Sequence, residues 1–142
     1  MSTDLIEMWH QRARPRPTEV DLNVQLGCHV EEFAEMLEGL ALDGYHLAPL
    51  IDTLTGLAEG LKRGTIGIDH MDRKLMLDAL ADQVVTAIGV GHCAKMNATE
   101  AVRRVNRSNW SKFDHEGQPI RDANGKITKG PNYEPPNLDG LY

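Results

Sequence analysis

Three glutamates, Glu31, Glu32 and Glu35, form an E-E-x-x-E run. On a helix, Glu31 and Glu35 lie about 40° apart and Glu32 and Glu35 about 60° apart. A second acidic pair, Asp78 and Asp82, stands four residues apart in the stretch from Leu75 to His92, which holds no other charged residue. Like charges at that spacing repel on a helix, and burying either is costly unless something cationic compensates. No lysine or arginine on that stretch does so, whereas a divalent cation would. Carboxylate oxygens at this density suit Mg²⁺ or Mn²⁺, hard ions that keep part of their water shell and take the rest from carboxylates and substrate phosphates. A single acidic run is most often a solvated helix face, so the pairing of two runs carries this reading.

Two other metals fit less well. The residues three after Glu31, Glu32, Glu35, Asp78 and Asp82 are Ala34, Glu35, Glu38, Ala81 and Val85, so the Glu-x-x-His pairs of di-iron bundles are missing. Cys28-His29 and His92-Cys93 each place adjacent side chains about 100° apart, which offers zinc one good ligand per pair.

An anion-facing set follows later in the chain: Asn106, Arg107, Asn109 and Lys112. Near a helix end such residues serve the dipole. Joined to a metal site they form a triphosphate clamp, with Arg and Lys for charge and Asn for directed hydrogen bonds. Trp9, His10 and Trp110 are the rings available to stack on a base.

The elements that must position these residues are helical. Leu5, Ile6, Met8 and Trp9 predict a short helix that stops before Pro15 and Pro17. Thr18 and Asp21 resemble a capping box opening an amphipathic helix that carries Leu22, Leu26, Val30, Phe33, Leu37 and Leu40 and ends near Asp43 and Gly44. Leu50, Leu54, Leu57 and Leu61 predict a helix from Pro49 to near Gly64. From about Asp69 to Ala94 a helix with Leu77, Leu80, Val84 and Ile88 on one face reads as nearly buried and central. Asn97 and Glu100 cap a short helix bearing Val102 and Val105, and the anion-facing set lies just past it. From Ser108 onward Gly and Pro punctuate an irregular arm, in which Asn124-Gly125 between Ile120 and Ile127 signals a short hairpin.

With 142 residues, 41% of them hydrophobic, the chain is sized for one domain. The expected organisation is an all-α bundle over 1–112 and an irregular arm of the same domain over 113–142. The longest uncharged stretch, Gln83 to Ala94, falls far short of the ~20 residues of a membrane span. A soluble, unprocessed protein with no membrane partner is therefore expected. Two cysteines without CxxC spacing fit a reducing compartment such as the cytoplasm. From Glu19 to Gly60 there are nine acidic residues and no Lys or Arg, the opposite of a nucleic-acid surface. Arg103, Arg104, Arg107 and Lys112 then reverse the balance in favour of anions.

The E-E-x-x-E run followed by an acidic pair on a later helix resembles the MazG-like, all-α nucleoside triphosphate pyrophosphohydrolases. Trp9-His10, the run from Asn23 to Glu32 (NVQLGCHVEE), Asp78 to Asp82 (DALAD), Val105 to Lys112 (VNRSNWSK) and Gly130-Pro131-Asn132-Tyr133 with Pro135-Pro136 look like the phage-associated, phosphoribosyl-ATP-pyrophosphohydrolase-like branch. The resemblance thus covers most of the chain. It implies that Glu32, Glu35 and Asp82 ligate metal, that Glu31 is a neighbouring or additional ligand, and that Glu31 or Glu35 orients the attacking water. The usual second motif is E-x-x-D, and Ala79 stands where its Glu would be. Asp78 is then the substitute ligand. The segment between the motifs is also long for the family, because it holds the Leu50 to Leu61 helix.

The implied assembly is a homodimer or homotetramer whose bundle is completed across subunits. The implied reaction is Mg²⁺-dependent hydrolysis of a (d)NTP to (d)NMP and diphosphate, with Mn²⁺ substituting and with a leaning to dGTP or GTP. Its setting is the cytoplasm, that of the host for a phage-borne gene. The competing expectation is a catalytically weak or inactive helical interaction protein of the same fold, and Ala79 is the feature in its favour.

Overall fold

Pro15 and Pro17 lack a backbone N–H and restrict their predecessors, so the chain leaves its first helix before them. The computed structural model describes residues 3–123 and 125–142, and in it that helix, α1, spans Asp4–Ala13. The second, α2 (Glu19–Glu38), opens on a true capping box: the Asp21 amide donates to the Thr18 hydroxyl at 3.2 Å and the Thr18 amide to the Asp21 carboxylate at 2.9 Å. It is shorter than its periodicity predicts. Gly39 caps it, and a tight turn follows in which Leu42 bridges to Tyr45 around Gly44 at φ 70°.

The third helix, α3 (Ala48–Arg63), has proline in its first turn and ends on Gly64 in the left-handed conformation, φ 72°. The fourth, α4 (Arg73–Cys93), starts later than Asp69 because Asp72 is its cap, accepting from the amides of Lys74 and Leu75 at 3.1 and 3.0 Å. The fifth, α5 (Ala98–Trp110), is capped by the Asn97 side chain, which accepts from the Glu100 amide at 3.1 Å. Among the described residues there are these five helices and no strand, and no helix is long and apolar enough to cross a membrane.

The chain forms two compact units. One holds Arg16–Asp69, that is α2 and α3. Its helices approach closely at Gly27, where an added Cβ would lie 2.7 Å from Lys62 Cγ and 2.8 Å from the Ala58 carbonyl oxygen. The Asn23 amide group closes the end of α3 by donating to the carbonyls of Leu61 and Ile66 at 3.3 and 2.7 Å. On α2 the buried residues are Val24, Gly27, Ala34 and Leu37, so the close approach uses small residues. The stripe expected to be the core face is only partly covered: Leu37 is buried and Leu26 and Val30 are half-buried, while Leu22, Phe33 and Leu40 are 39%, 52% and 50% exposed.

The other unit comprises the described residues of Met1–Pro15 and of His70–Tyr142. Its core is Trp9, Ala13, Phe113 and Ile127, which ties α1 to the arm. The arm turns back on itself: the Thr128 amide donates to the Ile120 carbonyl at 2.7 Å and Arg121 pairs with Ile127 in an isolated antiparallel bridge. This takes the place of the expected hairpin, whose Asn124 lies outside the described residues. The arm then runs along α5. The Ser108 hydroxyl donates to the Glu134 carbonyl at 2.7 Å, the Arg104 guanidinium to that of Asn137 at 2.9 Å, and the Asn97 amide to that of Leu141 at 2.8 Å.

The expectation of a nearly buried central helix is not met. On α4 only Gly91 is buried, and Leu75, Leu77, Val84, Val85 and Val90 are all more than half exposed. Periodicity reports which residues are apolar, and among the described residues of its own unit nothing covers that apolar surface.

Candidate functional site

The acidic run sits on the outer part of α2, one turn beyond the close approach at Gly27. Glu31 is half-buried and its carboxylate is held by the Lys62 ammonium of α3. Glu32 and Glu35 are exposed, and Glu35 makes no hydrogen bond or ion pair among the described residues. The three carboxylates are therefore unequal: that of Glu31 is neutralised by a lysine, while that of Glu35 is uncommitted among the described residues and offers hard oxygen donors that fit Mg²⁺ or Mn²⁺.

Asp78 and Asp82 are exposed on α4, one turn apart, and neither side chain has a hydrogen bond or ion pair among the described residues. This corrects a premise of the sequence reading. Burial on α4 does not force a cation upon the pair, because water reaches both aspartates in the chain. What remains is a repelling pair on an apolar surface, with donor chemistry suited to a hard cation. Ala79, where the sequence resemblance implied a glutamate, is half-buried. The two acidic sets belong to separate units, and within either unit no group of three or more His, Cys, Asp and Glu side chains is gathered as a metal site among the described residues.

The basic set divides. Asn106, Arg107 and Asn109 lie on α5 itself, not beyond it, and only Lys112 follows the helix end. Arg107 is exposed, its guanidinium has no hydrogen bond or ion pair among the described residues, and it lines a groove of about 420 Å³ between α5 and the arm. Arg104, Ser108 and Ser111 share that wall, and Glu134 to Asn137 form the other. Asn109 stands about 160° around the helix from Arg107, and its carbonyl accepts from the Trp9 indole at 2.9 Å. The sequence reading missed the Arg104 network: Glu100 pairs with Arg103 and Arg104, and the Arg104 hydrogen bond holds its carboxyl below the ordinary value, with the charges of both arginines adding to the effect. Arg103 and Arg104 three and four residues after Glu100 were the available signal.

The rings are placed unequally as well. Trp9 is only 7% exposed and lies stacked on Phe113, with centroids 5.7 Å apart and planes at 7°. Its faces and its N–H are used in packing, so it is a core residue and not an open platform for a base. His10 meets it edge-on, and burial, with Arg14 adding to it, pushes the imidazole pKa down. Trp110 is 36% exposed and touches Phe113 by its edge. Cys28 is half-buried on α2 and Cys93 exposed at the end of α4, in separate units.

Compared with known proteins, the chain matches no family model, no curated protein and no solved structure.

Proposed function

We propose that this protein is a Mg²⁺-dependent nucleoside triphosphate pyrophosphohydrolase, releasing diphosphate and a nucleoside monophosphate, with guanine nucleotides as the favoured substrates. The observation that carries the reading is that Glu35, Asp78 and Asp82, three of the carboxylates singled out by spacing, are exposed and uncommitted to any partner among the described residues. The motif combination resembling MazG-like enzymes supports it. Glu32 and Glu35 on α2 and Asp78 and Asp82 on α4 are the metal ligands of this proposal. When bound, Mg²⁺ neutralises triphosphate oxygens and lowers the pKa of a coordinated water. Glu35, lacking a cationic partner among the described residues, is suited to orient the attacking water. Arg107 and Lys112 supply positive charge for the departing diphosphate, Asn106 and Asn109 are the candidates for directed hydrogen bonds, and Trp110 is the ring with surface left for a base.

The same proposal includes self-association. A helix exposing Leu75, Leu77, Val84, Val85 and Val90 presents an apolar area that monomers rarely leave uncovered, and a second copy of α4 is its natural cover. Light scattering during size-exclusion chromatography reads the mass directly.

Incubation with Mg²⁺ and each common ribo- and deoxyribonucleoside triphosphate tests the reaction, with diphosphate release as the readout. Release of diphosphate, fastest from dGTP or GTP, is the expected result, and release from none of them defeats the proposal. Ala79 favours a second reading, an inactive helical interaction protein. In that case Mg²⁺ and Mn²⁺ leave the melting temperature unchanged, because only a ligand bound to the folded state raises it.

A further inference from the structure

We propose that the groove between α5 and the arm seats the nucleotide and that Glu134 selects guanine there by accepting from the donor edge of the base; the inference rests on the nucleotide-handling reading above. Four charged residues line this groove, Glu100, Arg104, Arg107 and Glu134. Two of them are spent on structure: Glu100 pairs with Arg104, whose guanidinium also donates to the Asn137 carbonyl at 2.9 Å. The Arg107 guanidinium and the Glu134 carboxylate have no hydrogen bond or ion pair among the described residues, with each other or with any other group. Opposite charges that line one groove without meeting suit a ligand with an acceptor end and a donor end. A purely anionic ligand would meet the repulsion of Glu134, and a purely cationic one that of Arg107.

Glu134 is held by its backbone and not by its side chain. The Ser108 hydroxyl donates to its carbonyl at 2.7 Å, and its amide donates to the Ser111 hydroxyl at 2.8 Å. Pro135 and Pro136 follow, with φ fixed by their rings. The carboxylate is thus carried on a stiff stretch of chain, and ordering it on a ligand costs little beyond its own rotamers. A carboxylate only accepts, through two oxygens. Guanine is the common base with two donors side by side on its pairing edge, the ring N–H and the amino group, and so meets both oxygens. Adenine and cytosine set a ring-nitrogen acceptor beside their amino group, and uracil and thymine flank their N–H with carbonyl oxygens. Each of these turns a lone pair toward the carboxylate. Arg107 is left for the phosphate end, and the groove, about 420 Å³, is within the roughly 300–1,000 Å³ of small-molecule sites.

The test compares GTP with inosine triphosphate, which lacks only the amino group of guanine, and with ATP. Diphosphate release by the full chain with Mg²⁺ is followed for the parent, Glu134→Gln and Arg107→Ala. The parent is expected to favour GTP over inosine triphosphate by about tenfold or more in kcat/KM, as the loss of one hydrogen bond to a charged group requires. Glu134→Gln, which leaves the backbone clamp intact, lowers GTP turnover to that of inosine triphosphate and leaves ATP unchanged, whereas Arg107→Ala lowers all three alike. A parent that does not distinguish GTP from inosine triphosphate overturns the proposal, as does a preference that survives in Glu134→Gln. An equal loss on all three substrates in Glu134→Gln makes the residue a structural one and overturns it too. Calorimetric titration with GMP separates this inference from the reaction. Diphosphate release with GMP bound equally by parent and Glu134→Gln overturns the role of Glu134 alone. No release, with GMP binding weakened about tenfold or more in Glu134→Gln, defeats the hydrolase and leaves the seat, and neither release nor GMP binding defeats both.

Discussion

The indole of Trp9 lies parallel to the ring of Phe113, 5.7 Å between centroids, and its N–H donates across to the carbonyl of Asn109. Through this pair α1, the end of α5 and the start of the arm share one small core, completed by Ala13 and Ile127. Trp9→Ala should therefore destabilise the protein by about 3–5 kcal/mol, the usual cost of emptying a buried aromatic site, as read by urea denaturation. Trp9→Phe keeps the stack and loses the hydrogen bond, so a smaller loss is expected. Because the ring is spent on packing, Trp9→Phe should leave the KM for a nucleoside triphosphate unchanged, and a large rise would restore it as a base platform.

The helices were legible because their signals are local. Thr18 and Asp21 form the capping box that their spacing announces, and Asn97 caps α5 as its side chain permits. Pro15, Pro49 and Gly64 act where their backbone chemistry places them. What periodicity does not carry is the identity of the covering surface. Gly27 and Ala34 draw α3 onto the small-residue face of α2, and Phe33 and Leu40 stay outside. The site was partly legible for the same reason. Spacing singled out Glu35, Asp78 and Asp82 but put the two aspartates on a helix expected to be nearly buried, whereas they are exposed. The Lys62 partner of Glu31 is 31 residues away, and no local rule connects them. Likewise the four-residue anion set reads as one cluster in sequence, while helix geometry sends Arg107 and Asn109 to different sides of α5.

A pH dependence follows from His10, whose pKa is pushed below 6.5 first by burial and then by Arg14. The unfolded chain then binds more protons than the folded one from about 6.5 downward to the lowered value, so stability is fully present above that window and is lost as the pH falls through it. The melting temperature should decline on acidification in that range, and His10→Asn should flatten the decline. Glu100, held low by Arg104, contributes in the same direction at more acidic pH, below its ordinary 4.5. A melting temperature that rises on acidification through the His10 window would contradict the assignment.

Gly27 tests the packing of α2 on α3. An alanine Cβ there would lie 2.8 Å from the Ala58 carbonyl oxygen and 2.7 Å from Lys62 Cγ. The lysine stem yields cheaply, but the backbone carbonyl does not. Gly27→Ala is expected to cost about 1–3 kcal/mol, as overpacking does, with Gly27→Val worse. Chemical denaturation checks it, and neutrality in both variants would mean that the two helices are free to move apart.

The divided basic set makes its own prediction. Arg107 faces the groove beside the arm and has no partner among the described residues, so its removal should leave the fold intact. If it meets substrate phosphate in the transition state, Arg107→Ala costs about 1.5–3 kcal/mol, or about 10–150-fold in kcat/KM. Mn²⁺ affinity should not move. A parental kcat/KM would return Arg107 to the ordinary surface.

Asp78 and Ala79 decide how the second acidic motif works. The sequence resemblance implies a glutamate three residues before the aspartate, and that place is Ala79, half-buried, next to an exposed Asp78 whose side chain has no partner among the described residues. One residue along a helix is about 100° of rotation, so Asp78 reaches a shared cation from a different direction than a glutamate at 79 would. If it serves as the substitute ligand, Asp78→Ala should lower kcat/KM by at least about 10 to 100-fold, the range in which even groups outside the ligand shell contribute. Asp82→Asn should be more severe and nearly abolish turnover, while its removal of like-charge repulsion leaves the metal-free protein as stable as the parent or more so. The discriminating variant is the pair Asp78→Ala, Ala79→Glu, which moves the carboxylate to the family position on a longer side chain. Recovery of diphosphate release in that variant, relative to Asp78→Ala alone, places both positions on one cation. Failure to recover, together with parental activity in Asp78→Ala, would leave Asp82 as the sole contribution of α4 and reduce the ligand set by one.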